Sequence, residues 1–415
     1  MRISNKDITI LRELAKQKAE IAAKPIQQGN IKLWTDTNDL KMTTPPIYID
    51  EIPWHEMNVD HELTLQTENA FCQSLETALR RELYAWRHMP GSMVVTPVIA
   101  SPLVVHDSGF GIDEDVDIVK TDAQNDIVSR HFKIQIKDEA DIEKIKDPII
   151  TLDKQQTDKN YHLLCEIFGD ILEVRKVGIK GQWFTPWDYL IRWTGISEAM
   201  MDLILRPEYI GKLVERFVDA SMVRLKQYEQ LGVWASNNDN TRVGSGGYGY
   251  CPALAPANEH LTHAPLKQLW GCGNAQIFSE VSPDMHWEFS LKHEQRWINC
   301  FGLSYYGCCE PLHHKLHILE KLPNLRKISM SPWAKLEVAN EISKGKYVLS
   351  CKPSPAIFAQ DTWRPEEAKQ DILNILKKAN GSSIELVMKD ISTVRYQPQR
   401  LWEWAKIAKG AIDEY

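Results

Sequence analysis

Strand-like and helix-like segments alternate through the last third of this chain. Four runs rich in β-branched and aromatic residues end in turn residues, at residues 302–310, 325–330, 346–353 and 383–390. Segments with the apolar spacing of helices separate them, at residues 311–321, 331–342 and 364–380. This alternation is typical of βα units around a parallel sheet. It predicts an α/β fold, specifically a (β/α)₈ barrel of the TIM type.

Polar side chains cluster where these predicted strands end. They are Cys308, Cys309, Glu310, Cys351, Lys389 and Asp390. In a TIM-type barrel the carboxyl ends of the strands form the catalytic face. We therefore expect the reaction centre at this edge of the sheet.

The composition argues against several classes of protein. Charges of both signs are spread along 415 residues with a net charge of −7, so no basic stripe for nucleic acid is present. No apolar run reaches the length of a membrane span, and residues 1–7 lack the apolar segment of a signal peptide. Eight cysteines are too few for a disulfide framework in a chain this long. We expect a cytoplasmic protein that binds neither nucleic acid nor membrane.

The first 92 residues are predicted to form an N-terminal helical extension. Residues 4–24 and 67–87 have the spacing of amphipathic helices, and residues 45–54 form an extended segment broken by prolines. Such a region is typical of a helical cap or a dimerisation arm, so a homodimer is one expected assembly. We interpret His55, Glu56 and His61 as solvated surface residues rather than a polar site.

The barrel is predicted to span residues 93–415. Its first strand is expected near residues 93–99, and residues 131–136 fit either a second strand or a surface hairpin. Further strands are predicted at residues 171–179 and 232–236. Residues 237–275 then become rich in glycine, asparagine and proline, without the Gly-Lys-Ser/Thr of a phosphate loop. We predict that they form a lid-like insertion over the catalytic mouth.

The order and spacing of these segments resemble the uroporphyrinogen decarboxylase-like superfamily. The matching pieces are Leu205-Arg-Pro-Glu, Gly232, Ser282-Pro, Glu288-Phe289, Tyr306-Gly-Cys-Cys309 and Cys351-Lys-Pro353. The resemblance covers residues 93–415 and implies a (β/α)₈ barrel. It also implies one of two chemistries. One is cofactor-free decarboxylation of porphyrinogen side chains. The other is methyl transfer, in which zinc activates a thiol-type acceptor and a corrinoid protein carries the methyl group.

The methyltransferase branch resembles this chain more closely than the decarboxylase branch does. The decarboxylases carry an Arg-x-x-Gly-Arg segment in their first strand, whereas residues 94–101 contain no arginine. The methyltransferases carry His-x-Cys at the fifth strand and a further cysteine at the last. The corresponding segments here read Tyr306-Gly-Cys308 and Met388-Lys-Asp390, so the histidine and the final cysteine are absent. Zinc also accepts carboxylates, so the resemblance implies an altered zinc site of Cys308, Glu310 and Cys351.

The resemblance and the strand ends together give a set of candidate site residues. The catalytic candidates are Tyr306, Glu280 and Asp390, and the substrate-binding candidates are Asn238, Tyr305, His313 and Lys389. An alternative interpretation makes Cys351 a packing residue and leaves the pocket to work without metal. The expected function is methyl transfer between a small-molecule donor or acceptor and a corrinoid protein. A decarboxylase or lyase acting on a small carboxylate, and a non-catalytic binding subunit, remain as alternatives.

Overall fold

The structure is a computed structural model that describes residues 3–120, 128–181, 183–259 and 261–415. Within these ranges the strands are β1 (Ile47–Ile49), β2 (Val98–Pro102), β3 (Val104–Asp107), β4 (Val116–Val119), β5 (Ser129–Phe132), β6 (Ile150–Asp153), β7 (Glu173–Val177), β8 (Trp183–Phe184), β9 (Trp270–Gly273), β10 (Leu303–Tyr306), β11 (Leu325–Met330), β12 (Val348–Cys351) and β13 (Ile384–Met388). The helices are α1 (Asn5–Ala22), α2 (Ile26–Asn38), α3 (Trp54–Met57), α4 (Ala70–His88), α5 (Lys154–Phe168), α6 (Pro186–Thr194), α7 (Ile196–Leu205), α8 (Pro207–Leu231), α9 (Pro283–His286), α10 (Lys292–Ile298), α11 (Leu316–Leu319), α12 (Leu336–Ser343), α13 (Ala356–Ala359), α14 (Pro365–Lys378) and α15 (Gln399–Glu414).

Seven strands form the central sheet, in the order β1-β13-β12-β11-β10-β9-β8. Every neighbouring pair in it is parallel, so all seven carboxyl ends lie along one edge. The predicted α/β class is therefore confirmed, and β10 to β13 coincide with the four strand-like runs of the sequence. Within the described ranges, no hydrogen-bonded ladder joins the two edge strands β1 and β8.

The remaining strands pair outside this sheet. β2 and β7 form a parallel pair, and a parallel bridge joins Ile179 to Trp234. β3 pairs antiparallel with β6. β4 pairs antiparallel with β5, so the hairpin alternative for residues 131–136 is the one observed. None of the described helices combines the length and apolarity needed to cross a bilayer.

β1 comes from the segment that the sequence analysis assigned to the helical extension. Helices α1 and α4 lie where they were predicted, but Ile47–Ile49 pairs with β13 and so belongs to the sheet. The prolines around this segment suggested a break in regular structure. Proline is compatible with the start of an edge strand because its nitrogen needs no partner there. The Pro46 carbonyl accepts a hydrogen bond from Leu386 N at 2.9 Å, which begins the pairing.

The two faces of the central sheet differ in chemistry. One face carries apolar residues such as Ile328, Leu349 and Leu386, which join the main core with the surrounding helices. The other, which we call the polar face, carries buried polar and aromatic side chains: Tyr305, Lys327, Ser329, Ser350, Lys352 and Glu385. Buried polar groups need partners, so something must cover this face.

The glycine-rich segment 243–249 covers the polar face, and we call it the plug. All of its residues are buried. A Cβ atom on Gly244 would lie 2.4 Å from the Tyr305 ring, and one on Gly247 would lie 2.2 Å from the Trp34 ring. This part of residues 237–275 is therefore packed inside the fold, in contrast to the predicted lid. Its glycines allow the backbone to approach these rings, so glycine content here reflects close packing rather than mobility.

Candidate functional site

The carboxyl ends of β10 and β13 approach each other across two intervening strands. Cys309 Sγ lies 3.8 Å from Asp390 Oδ2, although β11 and β12 stand between their strands. In a flat sheet, strands three places apart are separated by about 14 Å. The sheet therefore curls toward its polar face, and the loops at its carboxyl edge meet. We call the group that meets there the strand-end cluster: Glu51, Cys308, Cys309, Lys389 and Asp390.

Lys389 lies at the centre of the charges in this cluster. Its Nζ is 2.7 Å from Asp390 Oδ2 and 3.2 Å from Glu51 Oε2. The Asp390 amide also donates to Glu51 Oε2 at 3.2 Å. Arg242, just before the plug, extends the network because its Nη1 lies 2.9 Å from Glu51 Oε1 and 2.7 Å from Asp50 Oδ2.

The turn after β10 holds Cys308 in position. Gly307 has φ +101°, a conformation that side chains disfavour, and a Cβ there would lie 2.4 Å from Leu312. The Cys308 amide donates to Glu310 Oε2 at 2.8 Å, and the Cys308 carbonyl accepts from Ser329 Oγ at 2.6 Å. The backbone of the thiol-bearing residue is thus fixed on both sides.

Lys352, on the polar face, stabilises this turn through Ser329. Lys352 Nζ donates to Ser329 Oγ at 2.9 Å and to Tyr305 OH at 2.7 Å. Burial lowers the pKa of Lys352 to about 8. Beneath it, Lys327 Nζ and Glu385 Oε2 form a fully buried ion pair at 2.8 Å. The polar face is therefore a connected network that leads up to Cys308.

The two thiols have opposite ionisation tendencies. Their sulfurs are 3.6 Å apart. The hydrogen bond with Cys309 lowers the pKa of Cys308, against the effect of burial and with help from the charge of Lys389. The same hydrogen bond raises the pKa of Cys309. Cys308 is therefore the member of the pair that ionises first.

The two carboxyl groups at this edge are also unequal. Burial and the hydrogen bond with Glu51 raise the pKa of Asp390. Burial opposes ionisation of Glu51 too, but the hydrogen bond with Asp390 and the charges of Lys389 and Arg242 lower its pKa to about 2. Asp390 therefore keeps its proton to a higher pH than Glu51 does, and two unequal carboxyl groups at one place suit acid–base work.

A cleft of about 700 Å³ opens beside the cluster. Its lining includes Glu51 and Asp390 of the cluster together with Trp54, Leu63 and Arg81. The Arg81 guanidinium lies 5.1 Å from the centre of the Trp54 ring. Volumes of about 300–1,000 Å³ are usual for sites that bind small molecules. The cleft is therefore large enough for a small substrate beside Asp390, whose Oδ2 lies 3.8 Å from Cys309 Sγ.

The structure brings three of the predicted site residues together, namely Cys308, Lys389 and Asp390. Other candidates lie elsewhere. Glu280 is exposed on a separate turn, and His313 is half-buried on a short 3₁₀ helix. The Asn238 amide donates to the Leu254 and Ala255 carbonyls, which fixes its own loop. Tyr305 is buried in the polar face beneath the cluster.

Tyr306 faces away from the cluster. Successive residues of a strand point to opposite faces, so Tyr305 and Tyr306 separate. The Tyr306 hydroxyl donates to Glu294 Oε2 at 2.9 Å and lies 3.0 Å from His286 Nε2, all of them buried. Burial raises the pKa of Glu294 to about 8. Ser290 completes this network by donating to Glu294 Oε1. In this structure Tyr306 belongs to a packing network.

The predicted zinc ligands are not assembled. Glu310 Oε2 is engaged by the Cys308 amide, and Cys351 joins the apolar core on the opposite face of the sheet. Across the parts of the chain that the structure describes, no three His, Cys, Asp or Glu side chains form a group able to hold a metal ion. The residues present do not fit the zinc site that the resemblance implies, and zinc stays a prediction.

Sequence reasoning missed Glu51, Asp50 and Arg242. The first two follow Ile47-Tyr-Ile49, an alternating run that ends in acidic residues much as the run ending at Lys389 and Asp390 does. That parallel was a signal for a strand end at the same edge. No comparable signal marks Arg242, because its role depends on where the plug packs.

Comparisons with known proteins bear on the fold. No family model and no curated protein matches this sequence. Chains of solved structures do match, 23 in all. One is a methyltransferase from Methanosarcina mazei, with a TM-score of 0.51 and 10% sequence identity, over 93% of this chain and 98% of that chain. The likeness shows that this chain shares the fold of that methyltransferase over nearly its whole length.

Proposed function

We propose that the protein is a methyltransferase in which the Cys308 thiolate carries the methyl group. The observation that carries the proposal is the setting of Cys308 at the carboxyl edge of the sheet, 3.6 Å from the Cys309 sulfur. That hydrogen bond and the Lys389 charge lower the pKa of Cys308. A thiolate is the nucleophilic form of cysteine. The fold shared with a methyltransferase supports the class of reaction.

The reaction has two displacement steps. In the first, Cys308 Sγ attacks the methyl carbon, a sulfur–carbon bond forms, and the bond from the methyl group to its carrier breaks. The carrier leaves with that bonding pair. In the second step, the acceptor attacks the same carbon and Cys308 leaves as a thiolate. Covalent catalysis of this kind replaces one difficult transfer by two easier ones.

Residues of the strand-end cluster stabilise both steps. The Lys389 ammonium and the Cys309 thiol favour the Cys308 thiolate, which is the nucleophile in one step and the leaving group in the other. When the carrier atom is an oxygen or nitrogen, it needs a proton as it leaves. Asp390, whose pKa is raised, can donate that proton. No step in this proposal passes through zinc.

The small substrate is proposed to bind in the cleft beside Asp390. Trp54 and Leu63 offer apolar surface, while Arg81, which lies over the Trp54 ring, suits a negatively charged group. The other methyl partner is proposed to be a corrinoid held on a partner protein, whose cobalt centre gives and takes methyl groups. The open carboxyl edge near exposed Cys309 is where such a partner would approach.

We also propose that the central sheet belongs to a (β/α)₈ barrel of the uroporphyrinogen decarboxylase-like superfamily. The contact between Cys309 and Asp390 across two strands supports strong curvature of the sheet. In the chain, β2, β7 and Ile179 come between the two edge strands β1 and β8, whereas Trp234 follows helix α8. These pieces would complete the barrel between its edges.

The test uses methylcobalamin as the methyl donor and peptide mass analysis as the readout. We expect wild-type protein to gain one methyl group, located on Cys308. Cys308→Ser should gain none, and its methyl-transfer rate should fall by at least about a thousandfold. Cys300→Ser alters a cysteine before the amino end of β10, at the opposite end of the strand from the cluster, and should behave as wild type. A Cys308→Ser variant that transfers methyl at the wild-type rate would contradict the proposal.

A further inference from the structure

Cys308 and Cys309 form the most accessible pair of thiols in the described part of the chain. They are adjacent in sequence, and their sulfurs lie 3.6 Å apart. Cys309 is exposed and Cys308 is half-buried, whereas Cys72, Cys251, Cys272 and Cys351 are buried. An oxidant from solution therefore meets two neighbouring sulfurs at this place.

We propose that Cys308 and Cys309 are a modification site, where a peroxide converts the two thiols to a reversible disulfide. The two sulfurs are already close enough that side-chain rotation and a local change of the turn would join them. Formation of the disulfide does not depend on the proposed methyl transfer. Its effect on activity does rest on the proposed function, because Cys308 is the methyl carrier there.

The reaction balances with the peroxide as the oxidant. One sulfur of the pair attacks a peroxide oxygen, so that a sulfur–oxygen bond forms and the oxygen–oxygen bond breaks; the other oxygen leaves as hydroxide and becomes water with the thiol proton. The other sulfur then attacks the first, the sulfur–sulfur bond forms, and the sulfur–oxygen bond breaks with loss of water. The two thiols give up two electrons, which reduce the peroxide. An external dithiol reverses the change by thiol–disulfide exchange.

The geometry makes this disulfide easy to reduce. Consecutive Cα atoms are about 3.8 Å apart, which is shorter than the separation of about 4.4–6.8 Å found in most disulfides. A bridge between neighbours is therefore strained, and strained disulfides are the labile ones. Closing it must also move the Cys308–Cys309 peptide, whose carbonyl accepts from Ser329 Oγ at 2.6 Å. The bridge would therefore disturb the contact between the turn and the Lys352 network.

The experiment uses the full-length reduced protein and hydrogen peroxide. Thiols are counted with a colorimetric disulfide reagent after denaturation, and the bridged peptide is identified by mass. We expect wild-type protein to lose two thiols per chain as a Cys308–Cys309 bridge and to regain both with dithiothreitol. Cys308→Ser and Cys309→Ser should form no bridge within residues 302–310. Cys300→Ser should still lose two thiols.

Three results would overturn the proposal. In the first, one sulfur is oxidised to sulfinic acid while the other stays a thiol. In the second, either sulfur forms a bridge to a different cysteine. In the third, both thiols survive peroxide concentrations that oxidise free glutathione. Methyl transfer is measured on the same samples. If the bridge forms but transfer continues undiminished, the proposed function fails while the disulfide stands. If no bridge forms but Cys308 accepts methyl groups, the disulfide proposal fails while the proposed function stands.

Discussion

Glu51 and Asp390 are 339 residues apart in sequence, yet the Asp390 amide donates to Glu51 Oε2 at 3.2 Å. Each follows one of two neighbouring strands, β1 and β13, and each has a left-handed backbone, with φ +51° and +57°. This conformation costs a non-glycine residue on the order of 1–3 kcal/mol, and residues that adopt it are often found at functional sites. The matched turns direct both carboxyl groups to Lys389, and Asp390 also reaches Cys309.

The Glu51–Asp390 pair should set the pH dependence of methyl transfer. Cys308 acts as its thiolate and Asp390 in its protonated form, so activity should rise with pH through the lowered pKa of Cys308 and fall with pH through the raised pKa of Asp390. Glu51→Gln removes the negative charge that helps to hold this proton, so the fall should move to lower pH. The measurement is kcat/KM against pH for a substrate with an oxygen or nitrogen leaving group. Glu280→Gln, on an exposed turn, is the control and should keep the wild-type profile. An unmoved profile in Glu51→Gln would mean that Asp390 is not the acid.

Arg81 should govern substrate affinity rather than the chemical step. It lines the cleft and lies over Trp54, so Arg81→Met keeps much of the apolar contact while it removes the charge. We expect KM for an anionic substrate to rise by roughly tenfold or more, because a hydrogen bond to a charged group contributes about 1.5–3 kcal/mol. The kcat should change by less than about threefold. Arg87→Met, at an exposed position of the same helix where it pairs with Glu62, is the matched control. Equal effects of the two variants would exclude the cleft as the substrate site.

Glu294 should make the fold less stable at alkaline pH. Its pKa is near 4.5 when unperturbed and about 8 in the folded protein. Between these values the folded protein holds a proton that the unfolded chain has released, so the free energy of unfolding falls as pH rises. The loss is about 1.4 kcal/mol for each pH unit in this window. Glu294→Gln cannot ionise and should lose less stability between about pH 5 and pH 9.

Urea unfolding at a series of pH values measures this effect. Glu288→Gln, which alters an exposed acid on the same helical segment, is expected to follow the wild-type curve. A Glu294→Gln curve parallel to wild type would mean that the buried carboxyl group does not hold its proton.

Metal content separates the proposed chemistry from the zinc chemistry that the resemblance implies. The described residues present no group of three ligands, so protein purified without chelator should contain well under one zinc per chain. Elemental analysis checks this directly. Stoichiometric zinc in wild type, reduced in Cys308→Ser but not in Cys300→Ser, would contradict this expectation. It would show that Cys308 is a zinc ligand at the carboxyl ends of the strands.

Local patterns in the sequence were sufficient to predict much of the sheet. The strands β10 to β13 are short apolar runs closed by turn residues, and the helices between them have clear apolar spacing, so each element could be recognised from its own residues. The positions of Cys308, Lys389 and Asp390 at one edge follow from the same pattern, since parallel strands share their carboxyl edge. The burial of Cys351 also fits the packing alternative considered from sequence.

The sequence by itself determined β10 to β13, α1 and α4, and the polar residues that end the strands at Cys308, Lys389 and Asp390, because periodicity and turn residues act over a few neighbours. The tertiary structure alone decided that Ile47–Ile49 completes the sheet beside β13 and brings Glu51 to Asp390. It also decided that Tyr306 faces the core and that the plug covers the polar face. These outcomes depend on the curvature of the sheet and on contacts between residues hundreds of positions apart. Local preferences carry no information on such contacts, so the members of the site could be assembled only by packing the whole chain.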